Sequence, residues 1–289
     1  MAPTQRHRWF TLPDNRESRR NTALLGLALD LARADFAQRH PDARFAPVVA
    51  LVAAYQEEKN IGDVLSAMPT TSYGLEVSTL VIVDGGTDDT ARIAIEAGVF
   101  TCVMPVNLGQ GAALRLGYEL ASAFGARYVV TLDADGQNDP QEMDALLQPV
   151  VDGTSDFVIA SRRLGVDETT DRLRRAGVQF YAWTINTIAH QELTDSSNGY
   201  RAFQIEVLDD IAPLLAQDQY QTAEVVIVAA NRGWRITQVP AQWHPRASGT
   251  SKKGGNIVFG FAYAKVITTT WARVARASRL APTGQARTR

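Results

Sequence analysis

The sequence has almost no cysteine, no excess of positive charge and no long apolar run. Cys102 is the only cysteine among 289 residues, which excludes an internal disulfide and a zinc site built from several thiolates. The formal net charge is -2, which argues against nucleic acid as the main partner, because nucleic-acid-binding proteins usually carry a strongly basic face. No uncharged apolar run approaches the roughly 18–20 residues needed to span a bilayer.

These absences favour a reducing, cytoplasmic compartment. The start of the sequence is polar and rich in arginine, without the apolar core of a signal peptide. Hydrophobic residues make up 45% of the chain and charged residues 21%, so a globular core is expected rather than disorder. A chain of this length is enough for one large domain or two modest ones.

Residues 1–46 differ in texture from the rest and are interpreted as an N-terminal extension with one helix. The helical pattern runs over residues 21–38 and places four apolar side chains on one face. These are Leu24, Leu27, Leu31 and Ala34. The extension is expected to pack on the main domain and is a candidate for a homodimer contact.

From residue 47 onward, predicted strands alternate with predicted helices. The strands cover residues 48–53, 80–83, 99–103, 128–132 and 157–160. The helices cover residues 61–68, 90–97, 111–124 and 140–151. This alternation predicts βαβ units and a mostly parallel sheet. Ligands of such sheets bind outside the carboxyl ends of the strands.

The most informative motif follows the fourth predicted strand, where Asp133, Asp135 and Gln137 occupy alternate positions. Alternate side chains of an extended chain point the same way, so the three should converge if the chain stays extended through Gly136. Hard divalent cations prefer such oxygen ligands, and Mg²⁺ keeps positions open for substrate phosphates. Alone, an Asp-x-Asp motif is more often a solvated loop.

Two further polar segments follow predicted strands. Asp84 ends a buried strand and is followed by two glycines, which would let a ligand approach the backbone closely. A glycine-rich segment, residues 107–115, opens a helix, and helix N-termini attract phosphates. Close packing would also account for its small residues.

Together these segments resemble family 2 glycosyltransferases with the GT-A fold. The resemblance rests on Ala-Tyr-Gln-Glu-Glu-x-Asn-Ile, Val-Asp-Gly-Gly-Thr-x-Asp-x-Thr, Asn-x-Gly-x-Gly and Leu-Asp-Ala-Asp-Gly-Gln, in this order within residues 47–255. More narrowly, the set is similar to the dolichol-phosphate mannose synthase-like branch. It implies an α/β fold with one catalytic domain, whose Rossmann-like, mostly parallel sheet is flanked by helices.

The resemblance implies a donor site and a metal site. Nucleotide-sugar contacts are implied for Ala53, Tyr55, Glu57, Asp84, Gln110, Asp133, Ala134, Arg246 and Lys252. Ligands of Mg²⁺ or Mn²⁺ in the DXD motif would be Asp133, Asp135 and Gln137. Two positions depart from the family pattern: Gln56 stands where asparagine is usual, and Gln110 replaces a common lysine and so removes a phosphate-binding cation.

The second half of the chain carries the acceptor-side motifs of the same family. Acceptor contacts are implied for Arg162, Ser197 and Arg201. Catalytic roles are implied for Asp135, Asp195 and Glu224. A hydroxyl acceptor would need a general base, either Asp195 or Glu224, whereas a phosphate acceptor is already anionic and needs no strong base.

Residues 256–289 are interpreted as an amphipathic helix and a tail. The apolar arc of the helix consists of Ile257, Phe259, Phe261, Tyr263, Val266, Ile267, Trp271 and Val274. Lys265, Arg273 and Arg276 lie opposite this arc. Such a helix suits a membrane surface, although packing against the catalytic domain explains the pattern equally well.

The sequence therefore predicts a metal-dependent, inverting transfer of a sugar from a UDP- or GDP-linked donor. The favoured acceptor is a polyprenyl phosphate at the inner face of the membrane, with peripheral membrane contact. Transfer to the hydroxyl group of a soluble small molecule is the alternative. A non-catalytic nucleotide-sugar-binding domain and a nucleotidyltransferase are less favoured.

Overall fold

The computed structural model describes residues 15–167, 172–244 and 256–280. Its strands are β1 (Val48–Ala54), β2 (Thr71–Ser72), β3 (Leu75–Val83), β4 (Phe100–Val103), β5 (Tyr128–Asp133), β6 (Phe157–Asp167), β7 (Arg201–Gln204) and β8 (Ile236–Trp243). Its helices are α1 (Asn15–Arg39), α2 (Ile61–Ser66), α3 (Thr90–Glu96), α4 (Gln110–Ala123), α5 (Met143–Val151), α6 (Arg172–Ala189), α7 (Ile205–Ile211), α8 (Gln221–Asn231) and α9 (Asn256–Leu280). Each strand and helix predicted from the sequence is present, with ends that shift by up to seven residues.

One sheet carries the fold, in the order β4-β3-β1-β5-β7-β6-β8, with the two-residue β2 paired to the start of β3. The pairs β3–β4, β1–β3, β1–β5 and β6–β8 are parallel. In contrast, β7 runs antiparallel to both β5 and β6. The prediction of a mostly parallel α/β sheet of the GT-A type is confirmed, with β7 as the exception that the helix–strand alternation did not reveal.

Alternating side chains of the central strands enter two apolar layers, one on each face of the sheet. In β1, Val49 and Leu51 face the layer covered by α1, α4, α8 and α9. Val48, Ala50 and Val52 face the layer covered by α2 and α5. A strand buried on both faces reads as a continuous apolar run, which is why β1 is easily found in the sequence.

Helix α1 packs through a different face from the one that the apolar pattern indicated. Ala32 and Phe36 are fully buried against the domain. Leu24, Leu27 and Leu31 point outward and are 56%, 56% and 52% exposed. Small alanine side chains on the packed face let the helix approach β4 closely. The homodimer contact through this extension stays a prediction.

Helix α9 packs on the catalytic domain, which is one of the two explanations that its amphipathic pattern allowed. Tyr263, Val266 and Ile267 are buried in the same apolar layer as α8, so the centre of the arc is not available to a lipid. Trp271 is 52% exposed. The side chains of Ile257, Phe259 and Phe261 lie outside the described part of the chain. No helix in the described ranges combines the length and the apolar character needed to cross a membrane.

Candidate active site

A cavity of about 290 Å³ opens at the carboxyl ends of β1, β3 and β5. Its lining consists of Ala53, Ala54, Tyr55, Glu57, Asp84, Asn107, Gln110, Asp133, Ala134, Asp135, Gln219 and Tyr220. The strands are parallel, so their carboxyl ends meet at one edge and bring side chains from three separate segments together.

Eight of the predicted site residues share this cavity. They are Ala53, Tyr55, Glu57, Asp84, Gln110, Asp133, Ala134 and Asp135. Arg246 and Lys252, the two predicted basic contacts, lie outside the described residues. Gln137 does not line the cavity, and the reason lies in the course of the chain after β5.

The chain turns after β5 instead of staying extended. Gly136 adopts a φ of +74°, and the carboxylate of Asp135 accepts a hydrogen bond from the backbone N–H of Gln137 at 3.2 Å. This turn corrects the expectation that three alternate side chains converge. The side-chain amide of Gln137 instead donates to the carbonyl of His244, whose N–H donates back to the Gln137 carbonyl. Gln137 thus joins the DXD turn to the segment that follows β8.

The remaining carboxylates of the motif form one wall of the cavity and fit a hard divalent cation. Asp133 accepts a hydrogen bond from the side-chain amide of Gln110 at 2.8 Å. In the described ranges, no group of three or more acidic, histidine or cysteine side chains is close enough to hold a metal. Two carboxylates on a cavity wall match the way Mg²⁺ binds, with water and substrate phosphates completing its shell.

Asp84 organises the glycine-rich loop beside the cavity. Its carboxylate accepts hydrogen bonds from the N–H groups of Leu108 and Gly109 at 2.7 and 2.9 Å and from the Asn107 amide at 3.1 Å. Burial raises the pKa of Asp84 to about 6, an effect that the two backbone donors only partly oppose. Asp84 therefore has a structural role that the sequence did not indicate, and its contact with a nucleotide stays a prediction.

The glycines of that loop are needed for close packing. Gly109 has a φ of +99°, and a Cβ at Gly109 or Gly111 would collide with the backbone carbonyl of Asp218 or Gln217. The N–H of Gly111 donates to the Asp218 carbonyl at 2.8 Å. This contact places Gln219 and Tyr220 beside the cavity, which no sequence motif predicted.

Asp195, Arg162 and Ser197, which the sequence assigned to the acceptor side, form one cluster in which Asp195 and Arg162 are buried and Ser197 is half-buried. Arg162 donates to the Asp195 carboxylate through Nε at 2.6 Å and Nη2 at 3.0 Å, and Nη2 also donates to the Ser197 hydroxyl at 2.7 Å. Its guanidinium lies 4.7 Å from the centre of the Trp243 ring. Burial alone would raise the pKa of Asp195, but the charge and hydrogen bonds of Arg162 outweigh burial and hold this pKa below its ordinary value.

Arg201 holds the loop before β7 from inside the protein. It is 3% exposed and donates to the backbone carbonyls of Asn198, Ser196 and Thr222 at 2.7, 2.8 and 3.0 Å. A guanidinium that donates hydrogen bonds to three backbone carbonyls stabilises the loop that contains Ser197. This placement differs from the predicted acceptor contact.

Glu224 is also committed to neighbouring residues. Its fully buried carboxylate accepts hydrogen bonds from the N–H groups of Ala216 and Gln217, both at 2.9 Å, and forms an ion pair with Arg273 of α9. It does not line the cavity. These contacts point to a role in holding the loop before α8, which differs from the predicted general base.

Comparison with known proteins identifies the family. Residues 49–212 match the model of glycosyl transferase family 2, more than half of the chain. The chain belongs to this family. The enzyme class and the family predicted from the sequence motifs are therefore confirmed.

Two of the similar relatives whose names state an activity act on dolichyl phosphate by those names. A UDP-N-acetylglucosamine–dolichyl-phosphate N-acetylglucosaminyltransferase of Methanococcus voltae is 26% identical, covering 74% of this chain and 92% of the relative. A dolichyl-phosphate hexose transferase of Haloferax volcanii is 30% identical, covering 71% of this chain and 86% of the relative. Both names are consistent with the dolichol-phosphate mannose synthase-like branch.

A solved structure supports the fold. The crystal structure of glucosyl-3-phosphoglycerate synthase from Mycobacterium tuberculosis, in complex with Mn²⁺, uridine diphosphate and phosphoglyceric acid, has a TM-score of 0.60 to this glycosyltransferase. It is 18% identical and covers 82% of each chain. At this identity the likeness establishes the GT-A architecture alone.

Four lining residues were not among the predicted site residues: Ala54, Asn107, Gln219 and Tyr220. Asn138, which follows the DXD turn, was not predicted either. The side-chain amide of Asn138 is buried and has no hydrogen-bond partner among the described residues. In the sequence, the spacing of Gly109 and Gly111 was the one indication that another segment packs closely against the glycine-rich loop.

Proposed function

We propose that this glycosyltransferase is a metal-dependent, inverting enzyme that moves a sugar from a nucleoside-diphosphate sugar to a polyprenyl phosphate at the membrane face. The observation that carries the proposal is the shared cavity, where eight residues of the family's donor motifs meet at the carboxyl ends of three parallel strands. The acceptor is supported by the names of the two dolichyl-phosphate relatives.

The donor side requires charge stabilisation, because the departing nucleoside diphosphate is anionic. Asp133 and Asp135 would hold Mg²⁺ or Mn²⁺, which neutralises this charge as it develops. Arg246 and Lys252, predicted from the sequence, would add positive charge near the same phosphates. Asp84, Tyr55 and the other lining residues would hold the nucleotide.

The acceptor side suits a phosphate, which attacks the anomeric carbon from the face opposite the leaving group. A phosphate is already anionic, so no general base is required. Asp195, ionised and paired with Arg162, then serves to orient that guanidinium toward the acceptor. Ser197, bonded to the same guanidinium, would add a hydroxyl contact.

Calorimetric titration with UDP and GDP, each with and without Mn²⁺, tests the donor site. We expect one nucleotide to bind, with an affinity that depends on the metal. Asp135→Ala should remove this dependence and lower the transfer rate by at least about 10²–10³-fold. The matched control is Asp209→Ala, an exposed aspartate on α7. Metal-independent binding, or full transfer activity in Asp135→Ala, would contradict the assignment of Asp135 as a metal ligand.

Once the donor is known, the acceptor is tested by measuring sugar transfer to a short-chain polyprenyl phosphate without detergent and to the matching polyprenol. Transfer to the phosphate, and none to the alcohol, is expected. Transfer to the alcohol, or to small hydroxyl compounds only, would favour the soluble-acceptor alternative and restore the need for a base.

A further inference from the structure

The antiparallel pairing of β5 with β7 places a glycine opposite the first aspartate of the DXD motif. In this ladder Thr131 of β5 pairs with Arg201 of β7. Continuing the same register by two residues brings Asp133 opposite Gly199, which lies in the loop before β7. Directly opposite residues of an antiparallel pair have Cβ atoms only about 4.5–5.5 Å apart. The cross-strand neighbour of Asp133 is therefore a residue without a side chain.

The carboxylate of Asp133 occupies the space that a side chain at position 199 would need. A Cβ at Gly199 would lie 3.2 Å from Oδ2 and 3.3 Å from Oδ1 of Asp133. These distances are shorter than ordinary van der Waals contact, so the carboxylate would have to shift. The φ of Gly199 lies outside the left-handed region, so alanine fits the backbone there and changes only the available space.

On another side the same carboxylate is held by Gln110, the first residue of α4. The side-chain amide of Gln110 donates a hydrogen bond to Oδ1 of Asp133 at 2.8 Å. A turn of the carboxylate away from position 199 would change the geometry of this bond. Because Asp133 also lines the cavity, its orientation decides which oxygen faces a ligand.

The backbone of Gly199 is fixed as well. The hydroxyl group of Thr131 donates to the Gly199 carbonyl at 2.7 Å. On the preceding side of the loop, Arg201 donates to the carbonyls of Asn198 and Ser196 at 2.7 and 2.8 Å. The loop thus has little freedom to retreat from a Cβ at position 199, and Asp133 would have to yield instead.

We propose that Gly199 is a positioning residue for the donor, which sets the orientation of the Asp133 carboxylate toward a metal-bound diphosphate. The inference rests on the proposed function, in which Asp133 and Asp135 hold the cation, and deepens it. A carboxylate that is oriented before the ligand arrives loses less conformational entropy on binding. Ser197 of the same loop contacts Arg162, so one short loop touches both the cluster around Arg162 and the donor carboxylate.

Calorimetric titration of Gly199→Ala tests the proposal, with UDP and GDP and with and without Mn²⁺. We expect the nucleotide that wild type binds to bind about 10-fold more weakly in the presence of Mn²⁺, because a small displacement of a ligand group costs affinity. The matched control is Gly62→Ala on α2, where a Cβ would lie 3.7 Å from Ile93, an ordinary contact. Binding as tight as wild type in Gly199→Ala, or an equal loss in Gly62→Ala, would overturn the proposal.

A second pair of variants probes the same position without adding atoms to it. Thr131→Val keeps the shape of the side chain and removes the hydrogen bond to the Gly199 carbonyl, whereas Thr131→Ser keeps the hydroxyl group. Binding of the metal–nucleotide complex should weaken about 3–10-fold in the valine variant and return toward wild type in the serine variant. Equal affinity of the two variants would contradict the role of a fixed Gly199 backbone.

A double-mutant cycle asks whether Gly199 and Gln110 act through the same carboxylate. Gln110→Met removes the hydrogen bond to Asp133 and lets the carboxylate turn away from an alanine at position 199. The loss of affinity in Gln110→Met/Gly199→Ala should therefore be smaller than the product of the two single losses. Losses that multiply would show that the two residues act independently and would refute their shared action on Asp133.

The same titrations separate this inference from the proposed function. Nucleotide binding that needs no metal, yet is weakened by Gly199→Ala and not by Gly62→Ala, would keep Gly199 as a positioning residue and remove the metal from the proposed function. Metal-dependent binding in wild type that Gly199→Ala leaves unchanged would do the opposite.

Discussion

The cavity at the strand ends and the cluster around Arg162, the proposed donor and acceptor sides, both contain a buried aspartate, yet their surroundings shift its pKa in opposite directions. Asp84 is 2% exposed and accepts hydrogen bonds from neutral amide groups. Asp195 is fully buried and paired with the guanidinium of Arg162. Burial raises the pKa of Asp84 to about 6, whereas Arg162 holds the pKa of Asp195 below its ordinary value despite burial.

The difference between these aspartates lies in the partners of their carboxylates, which are cations in one case and neutral amides in the other. Asp195 and Glu224, the two carboxylates predicted as general bases, are paired with cations of the protein itself, Arg162 and Arg273. On the donor side, the contacts of Asp84 and of Asp133 are with amides. A cavity of this kind suits a ligand that arrives with its own cation, such as a metal-bound diphosphate.

Breaking the acceptor-side pair should have the largest effect on stability. Arg162→Met leaves the Asp195 carboxylate buried without its cation, and we expect the free energy of unfolding to fall by about 3–5 kcal/mol. Urea denaturation measures the change. Arg92→Met, which removes the exposed pairs with Asp89 and Glu96, should leave the midpoint close to that of wild type. An Arg162 variant as stable as wild type would contradict the comparison.

Glu224→Gln separates a structural carboxylate from a catalytic one. The change should reduce the free energy of unfolding by about 1–3 kcal/mol, because a buried charge-assisted contact with Arg273 is lost. Glu224 holds residues 216 and 217, and the adjoining Gln219 and Tyr220 line the cavity. Because the change should displace these lining residues, the KM for the donor should rise by a larger factor than kcat falls. Arg273→Gln should reproduce this pattern. A drop in kcat of about 10²–10⁴-fold at constant KM would instead identify Glu224 as the base.

The raised pKa of Asp84 makes stability depend on pH on the donor side. An acid whose pKa is higher in the folded state stabilises the fold at low pH, and this contribution is lost as the pH rises from its ordinary 3.8 through about 6. Relative to Asp84→Asn, wild type should lose about 2 kcal/mol between pH 4 and pH 7. Parallel urea titrations at several pH values measure it. A constant difference between the two proteins would refute the assignment.

The smallest effect concerns backbone strain beside the donor cavity. Gln56, which stands where the family usually has asparagine, has a φ of +52° in the left-handed region. Asparagine enters this region more easily than glutamine, so Gln56→Asn should stabilise the fold by about 0.5 kcal/mol. Gln56→Val should have the opposite sign. A shift of the urea midpoint in the same direction for both variants would disprove this account.

The parts of the fold that the sequence predicted are those that depend on local patterns. The apolar runs of β1, β3 and β5 and the polar residues that follow them were sufficient to place Asp84, Asp133 and Asp135 at one edge of the sheet. The antiparallel course of β7 and the outward face of α1, with Leu24 and Leu27, were missed. Both depend on which distant surface is available for packing. Neither the alternation of strands and helices nor the periodicity of a helix carries information about that surface.

By itself, the sequence determined that polar side chains would meet at the carboxyl ends of parallel strands, because the order of strands and helices leaves few other arrangements. The tertiary structure decided what each charged residue does there. Arg162 and Asp195 are 33 positions apart, and Glu224 and Arg273 are 49 apart. Such partners are joined only by folding, and the cation beside Asp195 lowers its pKa, whereas burial without a cation raises the pKa of Asp84.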